Sequence, residues 1–478
     1  MNYTLLTSVV VYLLGTLAIG VWAGTRIKNT ADFSVAGRSL PLIMVVTTTF
    51  ATWFGAETVM GIPARFVQGG LNAVVEDPFG AGFCLILVGM FFAAKLYKFN
   101  LLTIGDYYRQ RYGKGVEIFC SAAIILSYLG WVAAQITALG LVFTVLTNGA
   151  INETTGMIIG TLSVLIYVVA GGFLAIAITD FIQMIVLVIG MSIIAFFAAD
   201  LAGGTGQVLA HASSANLGNF LPPPKFHDIV FFIGAALTMM LGSIPQQDIF
   251  QRVMSAKNAP TASMGAIIGG ICYILFAFVP MFIVLCAVMV LGDSGMEMAK
   301  NDYQRLLPTF VMTKMPLLMQ IIFFGALLSA IKSTSSATLL APSTSFVENI
   351  LSHIHPGLSD KQRLLSLRLT IIVFAGLVLM YAIVMKGTSI YELVSAAYQV
   401  PLVAAFVPLV MGMYWQRATT QGAIFSIALG IGTWVLFFPQ FTTLGEQFPG
   451  QLAGLIAAFI GMFAGSLAPQ VLTNRKVL

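Results

Sequence analysis

The chain has 478 residues, of which 58% are hydrophobic and 9% charged, against roughly 25% charged in soluble domains. That balance excludes a water-soluble enzyme and a disordered chain. The net charge of +5 is modest; it reads as anchoring charge at membrane edges and points to no nucleic-acid partner.

A spanning helix needs about 20 apolar residues, and thirteen segments qualify: 3–24, 40–68, 72–97, 115–147, 151–170, 174–202, 228–254, 260–292, 317–351, 364–385, 389–413, 420–438 and 450–472. The first lacks a basic leader and a small-residue cleavage site, so it reads as a retained span rather than a signal peptide. The polar, aromatic stretch 98–114 reads as a surface helix. Cys84, Cys120, Cys272 and Cys286 all fall in apolar runs and read as buried free thiols. The four histidines, His211, His227, His353 and His355, lie in loops, with no nucleophile–base or metal-ligand constellation around them.

Lysine and arginine set the orientation. The side reached after the first span carries 16 of the 23, including Arg26, Lys28, Arg252, Arg475 and Lys476, and the opposite side carries 6. The rich side is therefore expected to be cytoplasmic, with the N-terminus outside and the C-terminus inside. Lys332 is left within a span.

Two spans look interrupted. The second carries Gly55, Glu57, Gly61 and Pro63; the seventh carries Gly242, Pro245, Gln246, Gln247 and Asp248. Backbone groups freed at membrane depth must be satisfied by protein, water or ligand. The breaks are five spans apart, as expected for two inverted five-helix repeats with a midplane site between them; the competing reading is a pair of ordinary kinks. Intramembrane charges are functional candidates by default. They are Glu57, Glu76, Asp77, Asp180, Asp248, Lys332 and Glu392. Glu76, Asp77 and Glu392 lie near span ends, as do Asp180 and Asp248 on the other side, and all five can be wetted there. The ninth span has the densest polar stripe, with Ser329, Lys332, Ser333, Thr334, Ser335, Ser336 and Thr338. Ala330, Ser333 and Thr334 share one face. Hydroxyls opposite the carbonyls of a broken helix suit a small hard cation, although they serve equally well as interhelical glue.

The segments ADFSVAGRSLP (31–41), YVVAGGFLAIAITDFIQ (167–183) and the hydroxyl-rich ninth span resemble the sodium:solute symporter family over nearly the whole chain. The resemblance implies an all-α, LeuT-type fold forming one transmembrane domain. It has an extra N-terminal helix (3–24), two inverted repeats (40–202 and 228–413) and two peripheral C-terminal helices (420–472). It also implies Na⁺-driven import of a small polar solute by alternating access. The implied Na⁺ site comprises the carbonyls of Ala51, Phe54 and Ala330 and the hydroxyls of Ser333 and Thr334. Asp180 falls near the implied ion-release path, and Glu57 at a substrate position beside the break. ATWFGAET (51–58), PFGAGFCLILVGMFFAAK (78–95), QRYGK (110–114) and IPQQDIFQRVMSA (244–256) are most similar to the choline transporter branch. That branch is expected to hold a quaternary ammonium by cation–π attraction. Trp53 and Trp131 match two of its aromatics, and Gln246 stands where a third would be.

The solute is accordingly expected to be choline-like, an amino acid or a carboxylate, bound in a cell-membrane transporter by Trp53, Glu57, Trp131, Gln135, Gln246 and Tyr398. No cofactor beyond the coupling ion is expected. Lys332 has three readings: an ion pair with Asp180 or Glu57, replacement of Na⁺ by its ammonium with proton-coupled or ion-independent transport, or a substrate contact. A transporter-like sensor or channel is the rival from another class.

Overall fold

Lipid offers the backbone no hydrogen-bond partners, so a chain of this composition must satisfy its peptide groups within helices. The computed structural model describes residues 3–27, 29–438 and 441–472. Lys28, Arg475 and Lys476 of the charge tally lie outside the described residues. Within them the ordered elements are helical, apart from one isolated bridge between Leu40 and Ala256.

The principal helices are α1 (Tyr3–Gly24), α2 (Leu42–Trp53), α3 (Glu57–Gly69), α4 (Leu71–Lys98), α5 (Ile104–Tyr112), α6 (Lys114–Leu146), α7 (Glu153–Leu201), α8 (Phe226–Gly242), α9 (Gln247–Ser255), α10 (Ala259–Leu291), α11 (Leu317–Ile354), α12 (Asp360–Val384), α13 (Ile390–Tyr414), α14 (Thr420–Leu436) and α15 (Gly450–Leu467). Among the described residues nine are long and apolar enough to cross a bilayer. The pairs α2–α3 and α8–α9 are bent by 56° and 45° and bring the spans to eleven if each pair counts as one. The expected fifth and sixth spans lie within α7, whose 49 residues are interrupted where Gly172 leaves helical geometry at φ 49°, ψ −153°. A Cβ there would strike the backbone oxygen and ring of Phe33. The expected twelfth span is α14, an apolar helix of 17 residues.

Both interruptions read from Gly, Pro and polar residues are present. The bridge ties them together: Leu40, just before α2, donates to Ser255 at the end of α9 at 2.9 Å, and Lys257 donates back to Leu40 at 3.0 Å. Around the breaks α6, α7, α10, α11 and α13 form a dense inner bundle. Gly130 of α6 lets the backbone of α13 approach so closely that a Cβ would come within 2.6 Å of the Leu393 carbonyl oxygen. α1 lies outside this bundle against α7 and α11.

Several local expectations need correction. The 98–114 surface helix is α5, and Tyr107, Tyr108 and Tyr112 bury it against α13. Tyr108 donates to the Ala405 carbonyl and Tyr112 to that of Pro408, both at 2.9 Å. Three of the four cysteines are buried, but Cys272 is exposed on the apolar face of α10. His353 does not stand free in a polar loop; it pairs with the buried Glu117 at 2.7 Å.

Candidate substrate and cation site

The first break ends α2 at Trp53, with Phe54 at φ −89°, ψ 72°. Ending a helix releases its last carbonyls, and those of Ala51 and Phe54 are among the groups so released. Glu57 opens α3 and is 2% exposed. Its Oε1 accepts from Trp131 Nε1 at 2.9 Å, and its Oε2 accepts from Gln135 Nε2 at 2.6 Å. Gln135 Oε1 in turn accepts from the Ala56 amide at 2.9 Å. Two residues one turn apart on α6 thus hold the broken backbone and its carboxylate together.

A box of mutually packed aromatic rings adjoins this carboxylate. Trp53 and Trp131 meet edge to face at 5.7 Å, Trp131 and Tyr398 lie 5.4 Å apart, and Trp53 and Tyr398 lie 6.1 Å apart at 30°. Tyr128 stacks on Trp131 at 6.0 Å, and Tyr273 meets Trp53 edge on at 6.4 Å. The rings pack on one another, and the Tyr398 hydroxyl, fully buried, has no hydrogen-bond partner. Gln246 caps the start of α9. Its amide nitrogen donates to Ser127 Oγ at 2.8 Å, while its oxygen is buried without a partner.

Five of the six expected substrate residues, Trp53, Glu57, Trp131, Gln135 and Tyr398, are joined directly in this cluster. Gln246 adjoins it through α9. Tyr128, Tyr273 and Asp248 were not foreseen there. Asp248 was expected near a wetted membrane edge, yet it is fully buried. It accepts from Tyr128 at 2.6 Å and Trp53 at 3.2 Å. Its place in the first turn of α9 favours a negative charge. Its spacing after the Gly242–Pro245 break was the available signal.

Glu76 and Asp77 are also corrected from wet to buried, at 5% and 1% exposure. They stand where α4 is interrupted, with Asp77 at φ −141°, ψ 120°.

Of the expected cation-site residues, Thr334 lies against the other side of Gly55. A Cβ on Gly55 would lie 2.6 Å from both Glu57 Oε2 and Thr334 Oγ1, and 2.9 Å from Gln135 Oε1. One glycine therefore separates the Glu57 carboxylate from an expected cation ligand. Thr334 Oγ1 is buried without a partner. Ser333 Oγ donates to Asp180 Oδ1, and Thr48 Oγ1 to Asp180 Oδ2, both at 2.5 Å. Asp180 is thus buried in the same cluster rather than wetted. The rest of the α11 stripe is largely internal: Ser335, Ser336 and Thr338 donate to carbonyls of their own helix at 2.6–2.8 Å.

Arg252, counted as an edge charge, is 2% exposed. Its guanidinium donates to the carbonyls of Asp248 at 2.6 Å and Thr48 at 3.2 Å and to the hydroxyl of Thr52. It joins α9 to α2 and lends positive charge to both Asp180 and Asp248.

Lys332 makes none of its expected ion contacts. It is 1% exposed, and its ammonium turns to α1, donating to Thr16 Oγ1 at 2.7 Å with the Tyr167 ring 5.1 Å away. Among the described residues it has no salt bridge, to Asp180, Glu57 or any other carboxylate. Among the described residues no group of three or more His, Cys, Asp or Glu is arranged to hold a metal ion.

The model of the sodium:solute symporter family matches residues 33–430. The chain belongs to the sodium:solute symporter family. Membership makes it a multi-pass secondary transporter rather than an enzyme. Among relatives, it is similar to the high-affinity choline transporter 1 of Caenorhabditis elegans, 23% identical over 98% of this chain and 85% of that one. It is also similar to the sodium/pantothenate symporter of Haemophilus influenzae, 25% identical over 96% of each. The structure of a Na⁺-coupled sialic acid symporter, captured substrate-bound and outward-open, covers all of both chains with a TM-score of 0.86 at 18% identity. For this symporter the fold is therefore LeuT-type, with the paired broken helices of the two inverted repeats.

Proposed function

We propose that the solute is an organic cation bearing an ammonium group, for which choline is the simplest probe, and that Na⁺ drives its uptake. The carrying observation is the box of Trp53, Trp131 and Tyr398 beside Glu57, which Trp131 contacts directly. Ring faces attract a desolvated cation, and the carboxylate supplies the countercharge. Charge balance argues the same way. Glu57 and Asp248 are both buried beside the rings, near one buried guanidinium, Arg252, which disfavours a carboxylate solute. The similarity to choline transporters supports this reading. So does Gln246, whose free amide oxygen accepts a hydrogen bond where a further ring would not.

Na⁺ is assigned to the carbonyls of Ala51, Phe54 and Ala330 and the hydroxyls of Ser333 and Thr334, with Asp180 behind Ser333. Hard oxygen donors at the end of a broken helix suit that ion. Lys332 leaves the position to Na⁺ because its ammonium is engaged with Thr16. Coupling runs through Gly55: an ion drawing in Thr334 steadies the same break that presents Glu57. The transporter is assigned to the cell membrane with its N-terminus outside, a bias that stands at fourteen against six once Arg111 and Arg252 are taken as buried.

The test is counterflow of radiolabelled choline in liposomes holding the purified protein, with and without Na⁺. The expected result is saturable, Na⁺-dependent exchange that is lost in Trp53→Ala and Glu57→Ala. Binding of carboxylates or amino acids in preference to any ammonium compound would overturn the solute class. Uptake indifferent to Na⁺ would overturn the ion assignment. Binding without counterflow would favour a sensor.

A further inference from the structure

Beside the aromatic box, the break in α4 holds two carboxylates that the box does not use. Glu76 Oε2 accepts from Ser395 Oγ at 2.7 Å, and Asp77 Oδ1 accepts from Tyr273 at 2.5 Å. The other oxygen of each, Glu76 Oε1 and Asp77 Oδ2, is buried with no hydrogen-bond partner. Among the described residues neither carboxylate has a salt bridge. Arg65, the basic group whose charge reaches Glu76, is exposed. Two adjacent buried carboxyls with free oxygens and no counter-ion are costly to ionise unless a cation arrives to pair with them.

Their placement says which cation. The Tyr273 hydroxyl that meets Asp77 also meets Thr58 Oγ1 at 2.9 Å, next to Glu57, and the Tyr273 ring edges onto Trp53. Ser395, which holds Glu76, lies one helical turn from Tyr398, whose own buried hydroxyl is unpartnered and lies in the field of both Glu57 and Asp77. The carboxylate pair and the aromatic box are therefore neighbouring tiers of one site, joined by Tyr273 on one side and α13 on the other.

We infer that Glu76 and Asp77 form a second ammonium subsite, so that the preferred solutes carry two positive centres separated by a short chain. One centre sits among Trp53, Trp131 and Tyr398 with Glu57. The other pairs with Glu76 and Asp77 and accepts nothing from the rings. This inference rests on the organic-cation reading and narrows it.

The experiment compares binding of 1-butylamine, choline and 1,4-diaminobutane to the purified full-length protein in nanodiscs, for the wild type, Glu76→Gln and Asp77→Asn. The wild type should bind the diamine at least tenfold more tightly than butylamine. Either substitution should bring the two within about threefold while leaving butylamine and choline affinity unchanged, which also shows that the variant is folded. Monoamine binding without a diamine preference in the wild type, or a preference untouched by both substitutions, overturns the subsite and spares the aromatic box. It is also the result expected if the two carboxyls are simply neutral. Absence of binding by any amine overturns the organic-cation reading and the subsite with it.

Discussion

Lys332→Met tests how a buried charge beside the proposed cation site sets its affinity. The ammonium is 1% exposed, has no salt bridge among the described residues, and holds one hydrogen bond, to Thr16 at 2.7 Å. Its backbone neighbour is Ser333, a proposed Na⁺ ligand. A lysine stem directed away from the helix puts the ammonium on the order of 10 Å from the ion. At an effective dielectric near 20 the repulsion is then about 1.7 kcal/mol. Removing it should lower the Na⁺ concentration for half-maximal uptake roughly fifteenfold, at about 1.4 kcal/mol per tenfold. Stability should change little, because loss of the Thr16 bond is offset by removal of an uncompensated buried charge. Thr16→Val should behave oppositely. It strips the ammonium of its acceptor, costing about 1.5–3 kcal/mol, the worth of a hydrogen bond to a charged group, and the double variant should recover most of that loss. The assays are Na⁺ titration of choline counterflow and thermal melting in the same lipid. A Na⁺ requirement unchanged in a Lys332→Met protein of wild-type melting temperature would refute the reasoning.

Three further outcomes are expected. Gly55→Ala places a methyl group against Glu57, Thr334 and Gln135. At about 1–3 kcal/mol for overpacking it should weaken both choline and Na⁺ binding about ten- to a hundredfold, and weakening of only one would show that the sites are not shared across Gly55. Trp131→Phe keeps the ring but removes the N–H held by Glu57; choline affinity should fall at least about tenfold by isothermal titration, from a charge-assisted bond worth about 1.5–3 kcal/mol. Arg252→Met leaves the charges of Asp180 and Asp248 without their shared guanidinium. It should destabilise the fold by about 3 kcal/mol or more, read as a lower melting temperature that Asp180→Asn in the same chain partly restores.

Much of the architecture is local in origin and hence legible in the sequence. Apolar runs mark the helices because a bilayer tolerates no unpaired backbone. Gly55 with Glu57, and Gly242 with Pro245, mark the breaks because helix breakers beside polar side chains need compensation. These signals, together with the family motifs, brought Trp53, Glu57, Trp131 and Gln135 to one place before any coordinates. What faces what was decided by the tertiary structure. In helices apolar all round, no amphipathic stripe distinguishes the side turned to lipid from the side turned inward, so position along a span was the only guide to burial. It placed Asp248, Arg252, Glu76 and Asp77 at wet edges, when the breaks in α8–α9 and α4 carry all four into the interior. Position also placed Lys332 beside the cation, since its neighbours in sequence are the proposed cation ligands. Only the packing of α1 against α11 shows its ammonium turned the other way, because the direction of a long flexible stem is set by the acceptor it meets, here Thr16, 316 residues distant in sequence.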